Sequence, residues 1–90
     1  MTKPKYQKYH LVWLNIPIEI RYCPQWDQRA GFCHLEVKAQ CPLPITETGY
    51  RGLFRADPVD DPVEFVRQWL EHEKKGQRGW ELYEKSLMKY

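Results

Sequence analysis

Two stretches, IPIEIRYC at 16–23 and FCHLEVKA at 32–39, alternate strictly between apolar and polar side chains and restrict the chain more than any other feature. In the first, Ile16, Ile18, Ile20 and Tyr22 share one side, and Glu19, Arg21 and Cys23 share the other. In the second, Cys33, Leu35, Val37 and Ala39 oppose His34, Glu36 and Lys38. A period of two is that of a half-buried β-strand. If the two strands pair antiparallel, partner numbers have a constant sum. A sum of 57 sets Ile20 against Val37, Tyr22 against Leu35, Arg21 against Glu36 and Glu19 against Lys38, so that apolar meets apolar and opposite charges meet. A slip of one residue would turn a whole strand over and place Arg21 against Leu35. Each charge pair contributes roughly 0.2–1 kcal/mol, less than keeping one face dry.

The remaining segments build on this pair. YHLVWL at 9–14 is rich in β formers, and Asn15, which tolerates positive φ, supplies a turn. PQWDQRAG, at 24–31, reads as a loop. In CPLPITETGYRGLF, at 41–54, Pro42 and Pro44 cannot donate to a ladder and take the chain out of the sheet. Gly49 and Gly52 permit a tight turn near Tyr50, and YRGLF forms a short fourth strand. Asp61 then caps a helix with Pro62 at its first position and Glu64 at its third, and Phe65, Val66, Trp69 and Leu70 fall on one stripe. Gly76 ends it. A second helix over 78–88 is expected to bury Trp80, Tyr83 and Leu87. The sequence thus predicts an α+β fold, an antiparallel meander of three or four strands with two C-terminal helices packed on one face.

Ninety residues make one domain, 1–90, divided into a basic leader (1–8), a sheet region (9–55) and a helical region (61–88). A core this small relies on large side chains, and four Trp, six Tyr and three Phe provide them. Three cysteines cannot all pair within the chain, and no secretory leader or membrane-length apolar run is present, so reduced thiols and a cytoplasmic location are expected.

Little in the sequence points to catalysis. Cys33 and His34 are neighbours on a strand and face opposite ways. Cys23 falls opposite His34, with His10 expected on the same polar face, but no metal-ligand spacing accompanies them, and a cysteine near a strand end is commonly a small structural residue. Asp57, Asp60, Asp61 and Glu64 cluster without a calcium-loop pattern, and two of them are used in capping. No cofactor, metal or catalytic set is therefore expected. The net charge of +2 is too small to imply nucleic acid by itself. Binding readings carry more: Tyr50 and Arg51 between two glycines are of the types that anchor protein interfaces, and Arg21, Glu36 and Lys38 on the polar face could join them. The alternative is a nucleic-acid grip by Lys3, Lys5, Tyr6 and Lys8 in the leader with Arg78 and Lys85 in the last helix. Each feature also has a plainer reading, a solvated basic leader and a tyrosine packed over the sheet edge.

IPIEIRYCPQW, HLEVKA, LPITETGYRGLF, VRQWLE and GWELYEKS together resemble a family of short uncharacterised proteins carried by bacterial plasmids, phages and other mobile elements, over roughly residues 9–86. LPITETGYR is the most specific of these. This chain departs from the family in having Gly52 and Leu53 where a serine and a histidine commonly follow Tyr-Arg. The resemblance brings no catalytic residue. It implies a small non-enzymatic binding protein, of the kind that inhibits a host defence nuclease complex such as CRISPR or restriction machinery (anti-CRISPR-like or anti-restriction-like), with a nucleic-acid-binding accessory factor as the alternative.

Overall fold

The computed structural model describes residues 5–27, 29 and 31–87. Four strands, β1 (Gln7–Trp13), β2 (Ile16–Asp27), β3 (Phe32–Ala39) and β4 (Tyr50–Arg55), form one antiparallel sheet in the order β1-β2-β3-β4. Two helices follow, α1 (Pro62–Lys74) and α2 (Arg78–Leu87). This is the expected α+β meander, with the fourth strand present.

The register of β2 with β3 follows the sum of 57 from Ile18↔Ala39 to Cys23↔His34. One flank of the sheet is dry: Ile18, Ile20, Leu35 and Val37 are at most 2% exposed, and Val66 and Leu70 of α1 close over them at 0%. Phe65 and Trp69 pack on the same core from the sides. Asp61 begins α1 as expected, accepting a hydrogen bond from the Glu64 N–H at 3.2 Å. The β1–β2 hairpin turns on two residues, Leu14 and Asn15, both at positive φ (48° and 64°), the geometry that matches the twist of the strands it joins.

Two expectations fail. The first concerns 24–27, read as loop: β2 continues to Asp27 through an irregularity, its partner sum rising from 57 at Cys23↔His34 to 59 at Asp27↔Phe32. Pro24 cannot donate to a ladder, and a bulge is where a sheet accommodates such a residue. The second concerns α2, which has no fully buried residue. Trp80 and Leu87 are half-buried and Tyr83 is 36% exposed. The helix docks on α1 and the β1–β2 hairpin instead of the centre of the sheet. Trp80 lies 5.5 Å from Trp13, the Tyr83 hydroxyl donates to the Leu14 carbonyl at 3.0 Å, and Lys74 reaches Glu71 at 2.8 Å and Glu84 at 2.5 Å. Trp13 donates its indole N–H to Glu71 at 3.0 Å, joining sheet, α1 and α2 in one polar network. Hydrogen bonding to Lys74 holds the Glu71 carboxyl below its ordinary value of 4.5, and hydrogen bonding to Glu71 and Glu84 raises Lys74 above 10.5.

Candidate functional site

Among the described residues, the other flank of the sheet carries no helix. Its side chains stand in rows across the strands, set by the register. One row runs Lys8, Arg21, Glu36, Gly52; the next runs His10, Glu19, Lys38, Tyr50. Beyond the first lies a row with Cys23, His34 and Phe54, and here the open face becomes aromatic. The His34 ring stacks on Phe54 (centroids 4.2 Å, planes 12° apart), Trp26 meets the Phe54 ring at 4.8 Å, and Tyr6 meets the His34 ring edge-on at 5.7 Å. A hydrogen bond of 2.5 Å joins the Tyr6 hydroxyl to His34 Nδ1. Burial, with the Glu36 carboxylate nearby, raises the Tyr6 phenol above its ordinary 10, so it stays neutral in that bond.

These rings bury what lies beneath them while staying partly exposed. Cys23 and His34 are 1% and 8% exposed, whereas Trp26, Phe54 and Tyr50 remain 40%, 53% and 47% exposed, with Phe32 at 39% at the same end. The β2 bulge makes the cluster possible. Unbroken alternation from Tyr22 would have sent Trp26 toward the helices; the irregularity after Cys23 lets it pack on His34 and Phe54 instead.

Tyr50 owes its position to the 41–49 connection. Leu43 is buried and bonds with Thr46 through both backbone groups (2.8 and 3.0 Å). The Thr46 hydroxyl donates to the Tyr50 carbonyl at 2.8 Å and accepts from the Thr48 N–H at 3.2 Å. Gly49, at φ 84°, accepts from the Ala39 N–H at 2.7 Å, and any Cβ there would stand 2.6 Å from the Ala39 carbonyl oxygen. LPITETG is thus a self-bonded brace that starts β4 in register. Gly52 is not part of that turn: it lies within β4 opposite Glu36, where a Cβ would meet the Tyr50 hydroxyl at 3.6 Å and His34 Nε2 at 3.4 Å. Tyr50 therefore lies back over the glycine toward the histidine.

The expected site residues separate. Arg21, Glu36 and Lys38 share the open face as read from the sequence, and Tyr50, expected in a glycine-flanked turn, joins them there. Arg51 does not join them. Next to Tyr50 on a strand, it turns to the helical flank, its guanidinium 6.0 Å from the Trp69 ring, while Arg55 lies 4.7 Å over Phe65. Arg21 approaches Glu36 at 3.5 Å and sits 4.8 Å over the Tyr6 ring. The expected Glu19–Lys38 pairing holds in register but not in charge: Glu19 turns to Lys8 at 3.4 Å, and among the described residues Lys38 has no ion pair.

The basic set does not come together either. Lys5 is exposed ahead of β1 and Lys8 is on the open face, but Arg78 and Lys85 belong to α2 on the helical side, and Lys3 lies outside the described residues. Cys23 and His34 are cross-strand partners as expected, and His10 shares their face, but it sits opposite Glu19, beyond the Arg21–Glu36 row. His34 Nδ1 is engaged by Tyr6, with Glu36 at 3.7 Å, and among the described residues no cluster of three His, Cys, Asp or Glu side chains is placed to hold a metal.

Trp26, Phe32 and Phe54 were missed by reading the sequence alone. Phe54 was accessible: pairing Leu53 with Leu35, apolar to apolar, places it opposite His34. Trp26 was not, because its side depends on the bulge.

None of the helices among the described residues is long and apolar enough to cross a membrane. A family model described as KlcB third domain matches residues 6–80, which spans the sheet, α1 and the start of α2. No curated protein and no solved structure matches the chain.

Proposed function

This chain belongs to the KlcB third-domain family, and on that footing we propose that it is a non-enzymatic protein-binding module of a mobile genetic element, acting in the cytoplasm through the open face of its sheet. KlcB is plasmid-associated, which supports placing the chain on a mobile element. The family description also makes the unit one domain among several in KlcB. One observation carries the reading: Trp26, Phe54 and Tyr50 are left half-exposed on the sheet, with no helix above them among the described residues. Aromatic side chains beside an arginine are the usual anchors of protein interfaces, and an exposed group of them marks a docking site.

The partner class we favour is a host defence nuclease complex, of the CRISPR or restriction kind, disabled by occupation of a surface. A nucleic-acid accessory role finds less support. Lys8 and Arg21 are already occupied by Glu19 and Glu36, and the basic residues of α2 lie on the other layer. The immobilised chain and a Phe54→Ser variant, exposed to a lysate containing such a complex, test the proposal. The complex should be retained by the native chain, lost by the variant, and inhibited in its cleavage assay. Retention of oligonucleotide instead, falling steeply with salt, would transfer the reading to nucleic acid.

A further inference from the structure

The open face has a charge left over, and it specifies the partner's chemistry. Among the described side chains of the strands, three fixed cations, Lys8, Arg21 and Lys38, stand there with two carboxylates, Glu19 and Glu36. Had Glu19 paired with its register partner Lys38, the spare cation would have been Lys8 at the sheet's edge. Because Glu19 turns to Lys8 and Glu36 to Arg21, the spare cation is Lys38, exposed beside Tyr50. It borders a groove of about 690 Å³ whose sides include His10, Val12, Pro17, Glu19 and Gln40. Val12, 69% exposed, and Pro17 give this end of the face an apolar floor.

We propose that the open face receives a protein segment that sets an acidic side chain against Lys38 and an apolar side chain on the Trp26–His34–Phe54 cluster. This rests on the protein-binding reading above and names what that partner must carry. The two subsites are four residues apart along β3, about 13 Å, a span that a short extended segment covers. The Arg21–Glu36 pair between them is internally neutralised and sets no further charge requirement. A phosphate backbone fits poorly: among the described side chains of the strands it would meet one spare fixed cation and two carboxylates, whereas nucleic-acid affinity grows with the number of phosphates neutralised. An acidic protein segment needs only the one complement, and charge complementarity of this kind selects among partners.

Panning a phage-displayed library of short random peptides on the immobilised full chain tests this. Enriched peptides should combine Asp or Glu with an aromatic or large aliphatic residue. Lys38→Glu should weaken the selected peptide about tenfold or more, Lys38→Gln should weaken it less, and fresh panning on Lys38→Glu should favour Lys or Arg. Lys38 is exposed and unpaired among the described residues, so both variants should keep the native circular dichroism; Lys38→Gln should also keep the melting temperature, and Lys38→Glu should lower it only slightly, because it sets a second carboxylate opposite Glu19. Peptides that require Phe54 but ignore Lys38 would overturn this inference and leave the protein-binding reading standing. No enrichment, or peptides indifferent to both positions, would overturn both, as would tighter binding of oligothymidylate. Concentration-dependent self-association that blocks the peptide would overturn the inference in favour of a second copy of this chain on the face.

Discussion

The two flanks of one sheet are built from alternate residues of the same strands, yet they differ in kind. On the helical flank Ile20, Val37, Val66 and Leu70 are wholly withdrawn from water, and α1 completes the layer. On the open flank the large side chains cover only what lies beneath them. Cys23 and His34 are buried, and the rings above them stay half in solvent. A single-layered flank of this kind adds little to folding compared with the covered one, so its aromatic residues are better explained by what they could meet than by what they hold up. The contrast also separates two neighbours, Tyr50 and Arg51. One peptide bond apart, they belong to different flanks: Tyr50 to the candidate site, Arg51 to the rim of the core over Trp69.

Substitutions can break this comparison. Ile20→Ala, on the covered flank, should cost about 2–5 kcal/mol in urea unfolding, the range for emptying a filled core position. A loss under 1 kcal/mol would mean that the two flanks are not energetically distinct. Gly49→Ala should cost about 2 kcal/mol or more, since it combines a left-handed backbone with a 2.6 Å approach to the Ala39 carbonyl, and amide shifts should change along β4. Phe54→Ser, on the open flank, should cost only about 1 kcal/mol while abolishing partner retention. If stability and retention fell together in proportion, the cluster would be a second core.

The smallest effect concerns α2 and is set by pH. The Glu71 carboxyl is depressed in the folded protein, so its contribution is present above the ordinary 4.5 and lost as pH falls through its folded-state value. Lys74 is raised, so its contribution is present below 10.5 and lost as pH rises through its folded-state value. The docking of α2 should therefore hold across the middle of the pH range and loosen at both ends, seen in the Trp80 indole resonance before the sheet signals move. Simultaneous change in the strands would contradict a separately docked helix.

Much of the covered flank was legible beforehand because its determinants are local and periodic. Alternation at 16–23 and 32–39 sets the register, and Asp61, Pro62 and Glu64 announce α1. The open flank was legible only where alternation persists: Arg21, Glu36, Lys38 and Tyr50 fall where their parity sends them, and Arg51 follows the same rule away from the site. Trp26 depends on how a bulge absorbs Pro24, which is a question of three-dimensional pairing. The orientation of Glu19 was out of reach for a similar reason. It has a cation on each neighbouring strand, Lys8 and Lys38, and periodicity does not choose between them. The burial of α2 was overestimated because apolar spacing reports which side of a helix is greasy, not how much surface is there to receive it.

The meander order has a kinetic corollary. Every strand lies beside its immediate chain neighbour, so the sheet can zip up one hairpin at a time, beginning at Leu14–Asn15, with the self-bonded 40–49 connection the longest between strands to close. The costly encounter is the return of α1 to β1, where Trp13 meets Glu71 across 58 positions. Renaturation should accordingly be limited by that late closure, with the sheet assembled as a template before the helix arrives.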